Sequence, residues 1–252
     1  MKKLENKVAI ITGGNAGVGK EIAKLFASEG ATVVISARRQ QALDEVAKEI
    51  EEAGGKVLGV PTDISKIDDV KNLIKTTIDT YGQLDILINN AGVLDQGLNA
   101  IDRIDYDDLN KVIDINQKGT MYCMSEALKV MTSGASIVNI SSVAGQYGAG
   151  GAVYVSTKAA IIGVTKHTAM RFAKEKIRCN VICPGSITTS MAAGLTPDTM
   201  DMKMMGAMSA HSDLSLQPCS PLDVAKVALF LASDDAAPLT GQVIVSDYGV
   251  DL

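Results

Sequence analysis

The chain has 252 residues, of which 46% are hydrophobic and 21% charged, an ordinary composition for a globular protein with a sizeable core. A formal net charge of −5, with no segment rich in lysine and arginine, argues against a nucleic-acid-binding protein. No apolar run approaches the roughly 18 residues of a membrane-spanning helix, and the first is too short for a secretory signal. We therefore expect a soluble, cytoplasmic protein.

The chain offers few ligands for a metal ion. There are two histidines, and the four cysteines do not form a Cys-x-x-Cys pair: Cys123, Cys179, Cys183 and Cys219. Ligation by Cys179 and Cys183 is one interpretation, but buried free thiols in a reducing compartment explain the pattern better. We predict no metal site.

Strand and helix patterns alternate along the chain. Short apolar runs predict seven buried strands, at 7–12, 32–35, 56–60, 84–88, 135–140, 177–182 and 243–246. Helical patterns lie at 20–28, 40–53, 67–81, 106–131, 152–174 and 222–232, whereas 185–217 looks irregular. Such alternation predicts an α/β fold, a doubly wound (Rossmann) parallel seven-stranded sheet with helices on both faces. No linker or repeat marks a boundary, so we expect a single domain over 1–252.

A glycine-rich turn follows the first predicted strand and opens the first helix. It reads Thr12-Gly13-x-x-x-Gly17-x-Gly19. Glycines let the backbone turn sharply and approach a pyrophosphate, whose charge is met by the helix N-terminus. A tight turn that merely needs glycine is the alternative, but the position between strand and helix favours a nucleotide site.

A tyrosine and a lysine lie four residues apart at the start of the helix predicted over 152–174. Tyr154 and Lys158 therefore share one face of the helix. An ammonium beside a phenol favours the phenolate, so we expect Lys158 to lower the pKa of Tyr154 towards neutral pH. Taken alone, such a pair is more often ordinary helix surface, and its meaning depends on the surrounding motifs.

These motifs together resemble the short-chain dehydrogenase/reductase family. The resemblance covers essentially the whole chain and uses the glycine turn, Tyr154-x-x-x-Lys158 and four further motifs in the same order: Asn89-Asn90-Ala91-Gly92, Asn116, Ser142 and Pro184-Gly185. It implies a single-domain oxidoreductase that transfers a hydride between a nicotinamide cofactor and a substrate.

The resemblance also implies which residues bind the cofactor. The glycine turn would hold the pyrophosphate, Asp63 the adenine, and the segment after the sixth strand the nicotinamide carboxamide. The complete predicted set is Thr12, Gly13, Asn15, Gly17, Val18, Gly19, Arg38, Arg39, Asp63, Ile64, Asn90, Ala91, Gly92, Tyr154, Lys158, Pro184, Gly185, Ile187 and Thr189.

Charge at the end of the second strand bears on the choice of cofactor. An enzyme that selects NAD usually places an acid there to bind both ribose hydroxyls, but this chain has Ala37 followed by Arg38 and Arg39. A guanidinium suits a 2′-phosphate, which a carboxylate would repel. We therefore favour NADP(H), with NAD(H) as the alternative; the two arginines could also be solvated helix-start charges.

Four residues form the predicted catalytic set: Asn116, Ser142, Tyr154 and Lys158. Tyr154 would exchange a proton with the substrate oxygen, and Ser142 would hold that oxygen in place. The resemblance implies that Lys158 also holds the nicotinamide ribose and that Asn116 binds a water beside it. Ser141 is the neighbouring candidate for the serine, and an asparagine in a long helix can also merely mark a kink.

The segment 186–217 is the predicted substrate lid. It is rich in flexible apolar side chains: Met191, Met200, Met202, Met204, Met205, Met208 and Leu214. These can mould around a bulky apolar ligand such as a hydroxysteroid or bile acid, or they can fill core or subunit contacts. A 3-oxoacyl thioester is the alternative substrate, although Lys203 is the only basic residue of the lid available for its phosphates.

Two non-enzymatic functions are also compatible with the fold. A nucleotide sensor would usually lack a member of the Ser-Asn-Tyr-Lys set, and a purely structural oligomer would need neither the glycine turn nor the Tyr-Lys pair. The resemblance further implies a homotetramer that pairs through the helices at about 106–131 and 152–174.

Overall fold

The computed structural model describes residues 2–189, 191, 196, 198–213 and 215–250. Its centre is a sheet whose order is β3-β2-β1-β4-β5-β6-β7, with every neighbouring pair parallel. The strands are β1 (Val8–Thr12), β2 (Thr32–Ala37), β3 (Lys56–Pro61), β4 (Ile86–Asn89), β5 (Ser136–Ile140), β6 (Arg178–Pro184) and β7 (Val243–Ser246). The predicted doubly wound parallel sheet is confirmed.

Helices cover both faces of the sheet. They are α1 (Gly17–Ser28), α2 (Gln40–Glu52), α3 (Ile67–Tyr81), α4 (Tyr106–Val112), α5 (Thr120–Ala127), α6 (Val143–Tyr147), α7 (Ala152–Phe172), α8 (Met202–Ser209) and α9 (Pro221–Ala232). One core packs α1, α2 and α9 against the sheet, and the other packs α3, α5 and α7 against the opposite face. Alternate residues of β1 enter these two cores, which is why its apolar run is unbroken.

The helix predicted over 106–131 is interrupted and ends early. A π-helical segment, Ile113–Gly119, joins α4 to α5, and the helix ends at Ala127. The wider turn of a π-helix inserts an extra residue, which no hydrophobic period reveals. Asn116 lies within this segment.

Two helices are absent from the sequence prediction. Helix α6 follows β5, capped by the Ser142 hydroxyl, which accepts from the Ala144 N–H at 3.1 Å. Helix α8 lies inside 185–217, so the prediction of irregular structure is wrong there. It begins after Asp201, whose carboxylate accepts from the N–H groups of Lys203 and Met204. Both helices are short, and the methionines and glycine of α8 do not form a clear helical pattern of apolar and polar residues.

The carboxyl ends of β1, β4, β5 and β6 meet along one edge of the sheet. The chain reverses direction across the sheet between β1 and β4, and ligands of open α/β sheets bind at such a switch point. Over the residues that the structure describes, no helix combines the length and the apolar character needed to cross a membrane. Nor do these residues contain three or more clustered side chains suited to a metal ion.

Candidate active site

The glycine turn at the end of β1 depends on the absence of side chains. Gly13 and Gly17 have φ values of +67° and +52°, in the left-handed region that favours glycine. A Cβ on Gly19 would lie 2.2 Å from the Gly13 carbonyl oxygen. The first turn of α1 is therefore packed directly on the loop that precedes it.

Side chains from β1 and β4 brace this turn. The Thr12 hydroxyl accepts from the N–H groups of Asn90 and Ala91 at 3.0 and 3.1 Å. The Asn90 amide donates to the carbonyls of Thr12 and Gly13 at 2.9 and 3.3 Å. Two motifs that are far apart in the sequence thus form one hydrogen-bonded unit, in which Thr12 and Asn90 shape the loop.

The N-terminus of α1 fits an anionic group. Its N-cap residue, Ala16, offers no side-chain acceptor, so within the described part of the chain no N-cap side chain takes up the first amides of the helix. Gly17 faces Thr189, whose Cγ2 would lie 3.5 Å from a Cβ placed on that glycine. A pyrophosphate fits such a cradle, with the segment after β6 on its other side.

The predicted adenosine side lies along the ends of β2 and β3. The carbonyl of Ser36 accepts from the N–H groups of Gly13 and Gly14, which places the end of β2 beside the turn. Arg38 and Arg39 follow at once and are exposed.

Unlike the exposed arginines after β2, the residues after β3 are held in place by hydrogen bonds and packing. The Asp63 carboxylate accepts from the N–H and hydroxyl groups of Ser65, which fixes its orientation. Ile64 is buried, and its side chain would lie 2.8 Å from a Cβ on Gly119.

Lys158 and Tyr154 lie together beneath the carboxyl end of β5. Lys158 is only 4% exposed, and its ammonium donates to the Ile140 carbonyl at 2.9 Å and lies 5.5 Å from the centre of the Tyr154 ring. The Ser142 side chain lies near the Tyr154 phenol and acts to lower its pKa. The Ser141 hydroxyl instead donates to the Lys158 carbonyl at 2.7 Å. Of the two candidate serines, the structure brings Ser142 to the phenol.

The Tyr154 phenol has a higher pKa than we expected from the sequence. Burial raises it to about 12; the Ser142 side chain works against this, and electrostatic interactions with Asp95 and Cys183 add to it. Burial likewise lowers the pKa of Lys158 to about 8. Desolvation therefore dominates the pKa of Tyr154 in this geometry, and the Lys158 ammonium is engaged with the Ile140 carbonyl.

Asn116 lies behind this cluster and is completely buried. Its side chain exchanges hydrogen bonds with the backbone of Val93, at 2.8 and 2.9 Å, and donates to the Thr157 hydroxyl at 3.2 Å. A Cβ on Gly92 would lie 3.2 Å from the Asn116 Oδ1 and 3.4 Å from the Lys158 Nζ. The π-helical segment and the loop after β4 thus meet at Lys158.

The segment after β6 closes the cleft from the other side. Pro184 ends the strand, and the Gly185 N–H donates to the Ser246 carbonyl at 3.1 Å. Ile187 pairs with Cys219 in a short parallel bridge, so both ends of the predicted lid are tied to each other. Thr189 lies opposite the glycine turn, as described above.

The predicted lid contributes helix α8 and an open cleft of about 600 Å³ between α8 and the single helical turn Ile101–Arg103. Met191 and Met202 are 50% and 59% exposed, and no side chain of α8 is buried. Leu214 lies outside the described residues. Lys203 is not the only base at this cleft, because Arg103 lines it too.

Three residues near the site are absent from the sequence prediction. Thr157 contacts Asn116, Asp201 caps α8, and Asp95 accepts from the first N–H groups of α7. An Asp immediately before the helical segment 202–209 could have indicated the α8 cap. Asp95 is 58 residues from its partner Val153, and no local pattern reveals that contact.

Known proteins resemble this chain over most of its length. A family model described as enoyl-(acyl carrier protein) reductase matches residues 13–251. The chain is 35% identical to a 3beta-hydroxysteroid dehydrogenase of Mediterraneibacter gnavus, over 99% of this chain and 96% of that protein. It is 37% identical to the 3-oxoacyl-(acyl-carrier-protein) reductase FabG of Thermotoga maritima, over 98% and 99%.

A solved structure has the same architecture. The short-chain dehydrogenase of Burkholderia cenocepacia, in complex with NADP, superposes with a TM-score of 0.87 at 28% identity and covers 98% of both chains. The family-model match spans nearly the whole chain, and its full-length relatives are oxidoreductases by name. The chain belongs to the short-chain dehydrogenase/reductase family of oxidoreductases.

Proposed function

We propose that this protein transfers a hydride between NADP(H) and a bulky hydrophobic secondary alcohol or ketone, such as a hydroxysteroid or bile acid. The observation that carries the proposal is the cluster of Ser142, Tyr154 and buried Lys158 at the carboxyl edge of the sheet, together with a glycine turn whose shape fits an anion. When bound, the nicotinamide supplies or accepts the hydride.

Each member of the cluster has a distinct task in this proposal. The Tyr154 hydroxyl donates a proton to the carbonyl oxygen during reduction and accepts one from the alcohol during oxidation. Ser142 hydrogen-bonds the same oxygen and holds it against the phenol. A raised pKa keeps the phenol protonated at neutral pH, which is the form that reduction requires. Lys158 and Asn116 organise the floor of the site.

The proposed preference for NADP(H) rests on charge. Arg38 and Arg39 are exposed directly after β2, beside a turn that fits a pyrophosphate, and no acid stands at Ala37. The complex of the Burkholderia cenocepacia relative with NADP adds support. NAD(H) remains the alternative cofactor.

The proposed substrate class rests on the lid and on one relative. Met204 of α8 lines an open cleft, and flexible thioethers can cover a rigid apolar ring system. A full-length relative is named a 3beta-hydroxysteroid dehydrogenase.

A second candidate function, reduction of a 3-oxoacyl thioester, is favoured by two observations. A full-length relative at 37% identity bears that name. Arg103 and Lys203 line the lid cleft together, so two cations are available for a phosphopantetheine, although Asp102 and Asp201 offset them there.

The decisive experiment is a reduced-nicotinamide absorbance assay on the purified protein. One arm offers NADP⁺ or NAD⁺ with hydroxysteroids, bile acids and small alcohols, and the other offers NADPH with a 3-oxoacyl thioester. Turnover of one steroid hydroxyl with NADP⁺ supports the proposal. Turnover of the thioester alone would assign the second candidate function, and no turnover with cofactor bound would favour a nucleotide sensor.

The variant Tyr154→Phe tests the acid/base assignment in the same assay. Removing the hydroxyl should lower kcat by about 10² to 10⁴-fold, because general acid–base catalysis contributes that much. Cofactor affinity, measured by fluorescence titration, should be nearly unchanged. Retained turnover would contradict the role of Tyr154.

We further propose a homotetramer that pairs through α4–α5 and α7. The proposal is supported by exposed large side chains on these helices, Tyr106, Met121 and Met170, which are 74%, 45% and 75% exposed. Light scattering of the eluted protein tests it, and a monomeric mass would contradict it.

A further inference from the structure

A buried carboxylate lies at the start of the helix that carries Tyr154. Asp95 follows β4 in the loop after Gly92 and is 3% exposed. Its Oδ2 accepts from the backbone N–H groups of Val153 and Tyr154 at 3.2 and 3.3 Å. The N-cap residue of α7, Gly151, makes no side-chain hydrogen bond. Asp95 therefore caps α7 from another part of the chain.

The contact is closely fitted. A Cβ on Gly151 would lie 2.3 Å from both carboxylate oxygens of Asp95, so this approach requires glycine. The neighbouring Ala152 N–H donates to the Asn99 carbonyl at 2.9 Å. Three successive amides at the start of α7 are thus held by the segment 95–99, and the position of Tyr154 depends on it.

A second acid nearby raises the free-energy cost of a negative charge on Asp95. Asp108 of α4 is 6% exposed, and its Oδ2 accepts from the Gln96 N–H at 2.6 Å. Among the described residues, neither Asp95 Oδ1 nor Asp108 Oδ1 has a hydrogen-bond partner. Burial raises the pKa of Asp95, the two amides oppose this, and the charge of Asp108 adds to it. A neutral side chain would cap the helix without that cost.

We propose that Asp95 is a positioning residue: its carboxylate caps α7 from the loop after β4 and so fixes Tyr154 through the first turn of that helix. The inference rests on the proposed acid/base role of Tyr154. It does not depend on which substrate is reduced.

The groups around the phenol agree with this placement. Asp95 and Cys183 each raise the pKa of Tyr154, whereas the Ser142 side chain lowers it. The Lys158 ammonium lies 5.5 Å from the ring and is engaged with the Ile140 carbonyl. Asp108 is the acid that faces Asp95 itself. Asp95 is therefore the carboxylate that combines contact with the tyrosine backbone and an electrostatic effect on its hydroxyl.

The test compares Asp95→Asn with Asp95→Ala, using the exposed Asp107→Asn of α4 as the control. The asparagine keeps an acceptor for the two amides but removes the charge. Because the cap is kept, kcat for reduction should stay within about threefold of that of the unmodified enzyme. The alanine removes the cap, so kcat should fall about tenfold, while the affinity for NADPH stays within about twofold.

Two results would overturn the inference. An unchanged kcat in Asp95→Ala would show that the cap does not position Tyr154, and an equal loss of kcat in Asp95→Asn would show that the acceptor is not what matters. Where the alanine variant does not fold, Asp95→Leu, which has the shape of asparagine without its acceptor, takes its place, with thermal unfolding as the check on its integrity. Activity retained by Tyr154→Phe would instead refute the proposed function, which separates the two failures.

Discussion

The predicted cofactor site and the predicted lid are built in different ways. Four hydrogen bonds join the glycine turn to the loop after β4: the Thr12 hydroxyl accepts two and the Asn90 amide donates two, and glycines there lie against backbone atoms. In the lid, by contrast, α8 has no buried side chain. It is held chiefly by Asp201, which caps the helix and contacts Arg103 and the Ala100 N–H, both at 3.5 Å. A cofactor always has the same shape, so a rigid turn can bind it. A bulky substrate is better bound by a segment, such as α8, that can change its conformation.

The glycine turn should tolerate substitution less well than the lid. In Gly19→Ala, the new Cβ would lie 2.2 Å from the Gly13 oxygen and would displace the turn. We expect cofactor affinity to fall about tenfold or more, since overpacking of this kind costs about 1–3 kcal/mol. Fluorescence titration measures the affinity.

The matched control is Gly163→Ala. That glycine is exposed on α7 with nothing within 4 Å of the added Cβ. Because alanine is the better helix former, we expect stability to rise by up to about 1 kcal/mol with cofactor affinity unchanged. Equal behaviour of the two variants would show that the turn is not rigid.

The exposed arginines after β2 should determine the preference for NADPH over NADH. In Arg38→Asp, a carboxylate replaces the cation proposed to meet the 2′-phosphate. We expect the ratio of kcat/KM for NADPH to that for NADH to fall about tenfold or more, because a charged hydrogen bond contributes about 1.5–3 kcal/mol. Arg39→Asp, made in parallel, identifies which arginine acts, and the exposed Lys48→Asp on α2 is the control. A ratio that does not move in Arg38→Asp shows that this side chain does not contact the phosphate.

Substitutions in the predicted lid should have the smallest effect on the kinetic constants. Asp201→Ala removes the N-cap of α8, which is worth about 1 kcal/mol, and frees Arg103. We expect KM for the substrate to rise a few-fold with kcat and cofactor affinity almost unchanged, because the chemistry lies elsewhere. Steady-state kinetics on the best substrate measures both constants. Asp198→Ala, exposed in the same segment, is the control, and a fall in kcat of tenfold would mean that α8 also orders the catalytic groups.

The sheet and the cofactor side could be predicted because their signals are local. Seven apolar runs gave the strands in order, and the glycine turn follows β1 directly. Parallel pairing then brings Asn90, Ser142 and Pro184 to one edge without further information. The roles of these residues stay predictions, because geometry alone does not test them.

What the sequence could not reveal depends on contacts between distant segments. Asp95 reaches the start of α7 only because β4 and β5 are neighbours in the sheet. The pKa of Tyr154 depends on how completely the ring is buried, and an i, i+4 rule carries no such information. Helix α8 has too few turns, and too much methionine, for its period to stand out.

Because Ile187 and Cys219 pair in a short parallel bridge, the reactivity of the Cys219 thiol can report on opening of the predicted lid. All four cysteines are buried, and the Cys219 thiol donates to the Ser246 carbonyl at 3.2 Å while its backbone pairs with Ser186 and Thr188. Separation of the two ends of the segment 186–219 should therefore speed the reaction of Cys219 with a thiol reagent. Its labelling rate, set against those of Cys123 and Cys179 in the sheet core, gives the free energy of that local opening. A bound substrate that slows labelling at Cys219 alone would measure closure without any turnover.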